Sequence, residues 1–191
     1  LQRLFAMMQF SSVPCSTKAL TKSFGWSDAQ TFMQHDLQEF SRILIDNLET
    51  KLKGDPELKD SISNIFKGQF DSIIRCKDVD YVSSKSEYFY DLTMQVKGCS
   101  NLQESFQNYI KKEQLDGDNQ YQAGAYGLQD AEMGSEFINF PSVLHLHLGR
   151  FEYDPETDQM MKINDRFEFP ESIDLSPFLS SRADQNQSLT Y

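Results

Sequence analysis

The stretch FMQHDLQEF, residues 32–40, decides the fold because it combines a helical pattern of apolar residues with an acid inside that pattern. At about 100° per residue, the apolar side chains of a helix from about residue 27 to residue 52 gather into one stripe. Asp36 is predicted to project into the stripe between Phe40 and Ile43. The stripe comprises Phe32, Met33, Leu37, Phe40, Ile43, Leu44 and Leu48. A buried carboxylate without a cation is costly, so we expect a basic partner for Asp36.

That partner can come from this chain or from another molecule. Asp36 and Glu39 are three residues apart, and no Lys or Arg lies three or four residues from Asp36 to neutralise the two acids. One interpretation is an external basic peptide. The other is an ion pair within the chain, for instance between Asp36 and Arg150.

Three polar residues surround the two acids. Gln34, His35 and Gln38 could form hydrogen bonds with the backbone of an extended peptide, since amide side chains both donate and accept. The alternative for His35 and Gln38 is a solvated helix face, because both lie away from the apolar stripe.

Composition excludes several classes of function. The 191 residues are 39% hydrophobic, which is enough for a core, and the formal charge of −11 argues against nucleic acid as a partner. No apolar run approaches the roughly 20 residues that cross a bilayer, so we expect no membrane association. Cys15, Cys76 and Cys99 form no CxxC pair and suit a reducing compartment, which predicts an intracellular location.

The spacing of apolar residues predicts an α+β protein. Helical spacing extends to about residue 60, and after that alternating patterns predict strands. The predicted helices are 1–10, 17–23, 27–52 and 101–112, the last with Ser100 and Gln103 or Asn101 and Glu104 as a capping box. The predicted strands are 66–76, 88–96, 137–140, 143–153 and 162–169, with a hairpin through DYVSSKSE, turns with at most short strand pieces over 113–134, and a polar connection over 180–187.

Five sequence blocks carry a resemblance to a known family. They are FGW at 24–26, FMQHDLQEF at 32–40, EQLDGDNQY at 113–121, LHLHLGRF at 144–151 and KINDRFEFP at 162–170. In this order they resemble the catalytic domain of ubiquitin-specific proteases. The resemblance implies a papain-like right-hand fold with an antiparallel sheet, in one catalytic domain truncated at both ends. It assigns 1–60 to the thumb, 61–140 to the fingers, 141–179 to palm strands, and 180–191 to a polar connection and the start of a next strand.

The resemblance also implies an activity and its partners. The family cleaves the bond after the C-terminal glycine of ubiquitin with a Cys nucleophile, a His base and an orienting Asp or Asn. Ubiquitin and ubiquitinated proteins are therefore the expected partners. In the family, the acids at Asp36 and Glu39 hold the ubiquitin tail, which carries two arginines. Arg150 and Phe151 lie beside the channel for that tail, although Phe151 could instead be an aromatic core residue.

The chain departs from the family pattern at the catalytic residues. The family nucleophile follows Asn and Gly and precedes Tyr, whereas Cys15 lies in SVPCSTK, and no histidine matches the His box. We therefore predict no catalytic residue in these 191 residues and no activity of this chain alone. Because Leu1 already lies inside an apolar helical pattern and SLTY reads as the opening of a strand, we expect an internal segment of a longer protein. The alternative is a non-catalytic ubiquitin-binding scaffold.

No metal or other cofactor is predicted. Many relatives carry two CxxC pairs at the finger tips, but the four corresponding positions here are Cys76, Val79, Ala123 and Tyr126, and one thiolate cannot build a zinc site. His145 and His147 point to the same side of a strand and could share a metal. Without further ligands nearby, packed core histidines are the favoured interpretation.

Overall fold

The computed structural model describes residues 1–25, 36–187 and 189–191. The chain divides into two compact units, Leu1–Ile62 and Ser63–Tyr191, and each is described by itself. The division follows the change from helical to alternating spacing in the sequence. The assignment of thumb, fingers and palm stays a prediction.

The first unit is helical. Its helices are α1 (Gln2–Phe10), α2 (Lys18–Ser23) and α3 (Leu37–Leu52), and the short α4 (Ser61–Phe66) crosses into the second unit. The positions of α1 and α2 and the end of α3 confirm the predictions. Phe24 packs edge-to-face on Phe40 with ring centroids 5.4 Å apart, and Ile45 is buried. Leu37, expected in the apolar stripe, is 78% exposed, so that part of the prediction is wrong.

The second unit is built on a four-stranded antiparallel sheet, which confirms the predicted sheet type. Its strands are β1 (Gly68–Cys76), β2 (Val82–Phe89), β4 (Glu113–Leu115) and β7 (Ala131–Asn139). They are ordered β2-β1-β7-β4 in the sheet. β4 and the first residues of β7 lie within the stretch 113–134 that is predicted to form turns with at most short strand pieces, and β7 begins six residues before the predicted strand 137–140.

The predicted hairpin is confirmed, because β1 and β2 pair as antiparallel neighbours, but its turn is shorter than DYVSSKSE. The connection covers only residues 77–81, and VSSKSE forms most of β2. Pairing with β1 continues from Arg75 and Val82 to Gly68 and Phe89. Serine has a weak strand preference, and the unbroken pairing with β1 overrides it.

The remaining strands are short. β3 (Leu92–Gln95) pairs in parallel with β8 (Leu146–Gly149), β5 (Tyr121–Gln122) pairs with β6 (Leu128–Gln129), and β9 (Phe151–Asp154) forms a hairpin with β10 (Gln159–Lys162). The predicted strands 88–96 and 143–153 are therefore each two strands, interrupted at 90–91 and at Arg150. The predicted strand 162–169 is irregular after Lys162, because isolated backbone hydrogen bonds, rather than a continuous β-ladder, hold the chain there.

Helix α5 (Leu102–Tyr109) confirms one of the two predicted capping boxes. The Glu104 N–H donates to Asn101 Oδ1 at 2.9 Å, and the Ser100 N–H donates to Glu104 Oε2 at 2.7 Å. These bonds satisfy donors that a helix start leaves unpaired. The Asn101 and Glu104 pair is therefore the cap of this helix.

The core of the second unit is rich in phenylalanine. Phe106 stacks on Phe178 with ring centroids 5.1 Å apart, and Phe137 packs 4.6 Å from Phe140. The buried cluster comprises Phe89, Leu92, Met94, Val96, Cys99, Leu102, Phe106, Phe137, Phe140, Phe167, Leu175, Phe178 and Leu189. Among the described residues, no helix is both long and apolar enough to cross a membrane.

Candidate functional site

One candidate site, in the first unit, is the start of α3. Asp36 has an extended backbone with φ −68° and ψ 129°, and its Oδ1 accepts the N–H of Gln38 at 2.6 Å. Asp36 is therefore the N-cap of α3 and is exposed. The prediction that it projects between Phe40 and Ile43 is wrong, because an aspartate is far more favourable at an N-cap than inside an apolar stripe.

Asp36 and Glu39 both lie at the N-terminal end of α3. Glu39 lies in the first turn of α3 and is also exposed, so both carboxylates are near the positive end of the helix dipole. Capping uses one oxygen of Asp36, and a carboxylate has about four lone-pair sites, so Asp36 can accept further hydrogen bonds. Gln38 is half-buried. Gln34 and His35 lie outside the described residues.

A separate candidate site is in the second unit, where β8 leads into the β9–β10 hairpin. Arg150 Nη1 donates to the carbonyl oxygens of Ile163 at 3.2 Å and Asp165 at 3.0 Å, and the Ile163 N–H donates to the Arg150 carbonyl at 2.7 Å. Arg150, just before the hairpin, is thus hydrogen-bonded to the segment just after it. Its alternative ion pair with Asp36 stays a hypothesis, because the two residues belong to different units.

Phe151 is on an exposed face of the hairpin. It is 64% exposed, so the alternative that it is a core aromatic is wrong. Phe151 pairs with Lys162, and Tyr153 pairs with Met160, which places these four side chains on one face. Tyr153 and Met160 are also more than half exposed. The sequence analysis missed both, although the two-residue step from Phe151 to Tyr153 signals a shared face.

The hairpin is fastened by side-chain bonds at both ends. Lys97 Nζ lies 2.6 Å from Glu152 Oε2, and this contact raises the pKa of Lys97. In the turn, the Thr157 hydroxyl donates to Asp154 at 2.8 Å and lowers its pKa. The Tyr153 hydroxyl donates to Asp158 at 2.6 Å, which raises the pKa of Tyr153. These bonds connect the hairpin to Lys97 and close its turn.

The two histidines of LHLHL are half-buried. His145 packs on Phe66 with ring centroids 5.1 Å apart, and His147 lies in β8 opposite Thr93. Within residues 1–25, 36–187 and 189–191, no three His, Cys, Asp or Glu side chains are grouped to hold a metal ion.

The four positions that the resemblance relates to zinc ligands lie near one another in the second unit. Cys76, Val79 and Ala123 belong to one small apolar cluster, and the ring of Tyr126 lies 6.1 Å from that of Tyr81. Tyr81 also packs on Tyr121, whose proximity raises the pKa of Tyr81. Cys76 supplies the one thiol among the four positions, so their donor set does not fit a tetrahedral zinc ion.

A charged network on the four-stranded sheet was not predicted. Arg182 Nη2 donates to the buried Asp71 at 2.9 Å, and Arg182 Nε donates to Glu136 at 3.2 Å. The Ser86 hydroxyl bonds to Asp71 at 2.7 Å and, with Arg182, lowers the pKa of Asp71 despite its burial. Asp71 and Arg182 are 111 residues apart, so no local pattern signals the pair.

The chain matches the sequence model of one family, described as ubiquitin carboxyl-terminal hydrolase, over residues 1–191. It is 54% identical to ubiquitin carboxyl-terminal hydrolase 15 of Saccharomyces cerevisiae, over 94% of this chain and 14% of that protein. It is 53% identical to ubiquitin carboxyl-terminal hydrolase 7 of Drosophila melanogaster, over 94% of this chain and 16% of that protein. The chain thus spans about one seventh to one sixth of the length of these relatives.

A solved structure shares the fold. It is the SAGA Ubp8/Sgf11/Sus1/Sgf73 DUB module bound to ubiquitin aldehyde, which matches with a TM-score of 0.72 and 26% sequence identity. The match covers 86% of this chain and 38% of that chain. The α+β architecture with its antiparallel sheet is therefore the papain-like architecture of that deubiquitinase domain.

Proposed function

Because the chain belongs to the ubiquitin carboxyl-terminal hydrolase family, we propose that it forms the ubiquitin-binding part of a deubiquitinating cysteine protease. Its partners are then ubiquitin and ubiquitinated proteins, and its location is intracellular, in the nucleus, the cytoplasm or both. The five sequence blocks further suggest the subgroup of the herpesvirus-associated ubiquitin-specific protease. The two acids at the start of α3 carry the proposal, because they are exposed and suited to a basic peptide.

The proposed role of Asp36 and Glu39 is to bind the arginines of the ubiquitin tail. Asp36 is held by its cap bond to Gln38, so its carboxylate is oriented before a ligand arrives. A pre-oriented carboxylate loses little side-chain freedom when it binds a guanidinium. Gln34, His35 and Gln38 are proposed to contact the backbone of the same tail.

The exposed hairpin face is proposed to form a wall of the tail channel. Phe151 supplies an apolar surface, and Tyr153 and Met160 extend that surface along the same face. Arg150 acts as a positioning residue, because its guanidinium already bonds two backbone carbonyls of the segment that follows the hairpin.

The chemistry of the complete domain is proposed to be acyl transfer to a Cys thiolate, followed by hydrolysis. We assign no catalytic residue within this chain. Cys76 and Cys99 are buried thiols, and Cys15 lacks the neighbours of the family nucleophile. The alternative function is a ubiquitin-binding scaffold without catalysis, which the mismatch at the Cys and His boxes leaves open.

The test compares the affinity of the complete protein for two forms of ubiquitin. Binding is measured by fluorescence anisotropy with ubiquitin and with ubiquitin whose two tail arginines are replaced by alanine. We expect binding of the first and a loss of at least tenfold in affinity for the second. No affinity for unmodified ubiquitin would refute the proposal.

A ubiquitin probe with a C-terminal electrophile separates the two candidate functions. A working protease forms a covalent adduct with the probe, because its thiolate attacks the electrophile. A scaffold binds ubiquitin but forms no adduct. Iodoacetamide treatment before the probe is the control, since it blocks a reactive thiol and must abolish the adduct.

A further inference from the structure

Strand β2 has an open edge. It pairs with β1 on one side, and the described part of the chain places no strand along its other side. Its eight residues at about 3.3 Å each give an edge of about 26 Å. An edge of this length exposes a row of backbone N–H and C=O groups that can pair with another strand.

The usual protections of an edge strand are weak in β2. The strand contains no proline, and its register with β1 is free of bulges. Ser83, Ser84 and Ser86 are too small to obstruct an approaching backbone. The one cation, Lys85, pairs with Glu87 on the same face at 3.3 Å, so its charge is locally neutralised.

We propose that the outer edge of β2 pairs with β2 of a second copy of this chain, in an antiparallel arrangement centred on Ser86. A two-fold axis perpendicular to the sheet places residues equidistant from the centre opposite each other. With Ser86 at the centre, Lys85 of each copy lies opposite Glu87 of the other. Two ion pairs between Lys85 of one copy and Glu87 of the other then form across the junction.

The charges select this register over its neighbours. A junction centred on Lys85 places the two lysines opposite each other, and one centred on Glu87 places the two glutamates opposite each other. Like charges directly opposite each other destabilise a sheet. The segment Lys85–Ser86–Glu87 is therefore self-complementary in one register.

The side chains around the centre fit a second strand. Ser84 lies opposite Tyr88 of the second copy, so a small side chain faces a large one that is 60% exposed. The Ser86 hydroxyl donates to Asp71 at 2.7 Å, which keeps that side chain on its own sheet. Joining the two edges gives a continuous sheet of eight strands, four from each copy.

The experiment measures the association of the complete polypeptide by sedimentation velocity over a range of concentrations. We expect wild-type protein to associate reversibly to a dimer. Lys85→Glu places glutamates opposite each other twice, and Glu87→Lys places lysines opposite each other twice. Each single reversal should raise the dimer dissociation constant about tenfold or more.

Two further samples test the register itself. The double variant Lys85→Glu with Glu87→Lys restores opposite charges and should dimerise like wild type. A mixture of the two single variants should form a heterodimer, because acids of one copy then face lysines of the other. Lys59→Glu is the matched control, since it reverses an exposed lysine outside the sheet and should leave the dimer unchanged.

Several results would overturn the proposal. A monomeric wild-type protein at every concentration would do so, as would single variants that dimerise like wild type. A mixture no more dimeric than its separate components would exclude the register centred on Ser86. Circular dichroism verifies that each variant is folded. Hydrogen exchange provides a second measurement, since β2 amides should exchange more slowly as concentration rises.

Discussion

Replacing Asp36 separates its two roles, the helix cap shown by the structure and the proposed binding of the ubiquitin tail. Asp36→Asn keeps a side-chain oxygen that can accept the Gln38 N–H, because asparagine caps helices about as well as aspartate. It removes the negative charge. Asp36→Ala removes both the cap and the charge.

The expected magnitudes differ for the two measurements. Loss of the cap in Asp36→Ala should destabilise α3 by about 1 kcal/mol, whereas Asp36→Asn should change its stability by a few tenths. A hydrogen bond to a charged group is worth about 1.5–3 kcal/mol, so both variants should bind ubiquitin about tenfold to a hundredfold more weakly.

The assay combines ubiquitin affinity with hydrogen exchange of the amides at the start of α3. Glu57→Gln is the control, since it removes an exposed acid elsewhere in the first unit and should change neither quantity. Added salt should weaken ubiquitin binding by wild type more than by Asp36→Asn, because salt screens exposed charges.

One outcome would refute the reasoning on Asp36. If Asp36→Asn binds ubiquitin like wild type while Asp36→Ala loses both stability and affinity, the residue acts through the cap alone. The arginine-binding role would then be wrong even if the chain binds ubiquitin.

Three further predictions concern the second unit. Arg182→Met should lower the free energy of unfolding in urea, because it leaves the buried Asp71 without its cation. The expected loss is only about 2 kcal/mol, because Arg182 itself is half exposed and solvent screens its charge. Folding lowers the pKa of Asp71 from its ordinary value of 3.8 and that of Glu136 from 4.5. The stability that these two carboxylates contribute is therefore present above those values and is lost as pH falls through their lower folded-state pKa. The difference between variant and wild type should therefore shrink below about pH 4, and a constant difference would contradict the ion-pair role. Gly68→Ala should destabilise the unit by about 1–3 kcal/mol in thermal unfolding, because the new methyl would lie 2.1 Å from the Phe89 ring; an unchanged melting temperature would show that the ring moves freely. Phe151→Ser should weaken ubiquitin binding while leaving the unfolding temperature unchanged, since the side chain is 64% exposed, and unaltered affinity would remove it from the channel wall.

Local signals in the sequence predicted the helices well. Asn101 and Glu104 form the predicted capping box, and α1 and α2 lie where the apolar spacing placed them. Such features depend on residues within one or two helical turns, so the sequence contains all the information required. Asp36 was misplaced because the same three- and four-residue spacing continues on both sides of it in the sequence, whereas aspartate favours the N-cap, where its carboxylate accepts the Gln38 N–H.

Features that depend on distant residues were not predicted. The serines of β2 resemble a turn when read alone, and only their pairing with β1 makes them a strand. The predicted strand 143–153 is broken at Arg150, whose guanidinium bonds to the backbone carbonyl of Ile163. Within the candidate site, the exposure of Phe151 depends on hairpin register, which periodicity alone does not determine.

The bond between Asp71 and Arg182 has a consequence for how this protein emerges from the ribosome. The residues are 111 positions apart, and at about 5–20 residues per second roughly 5–20 s separate their synthesis. During that interval β1 and β7 can already pair, while Asp71 lacks the guanidinium that neutralises it. The nascent sheet is thus expected to reach its final stability only when translation has passed Arg182, and chaperones have a defined time window in which to bind it.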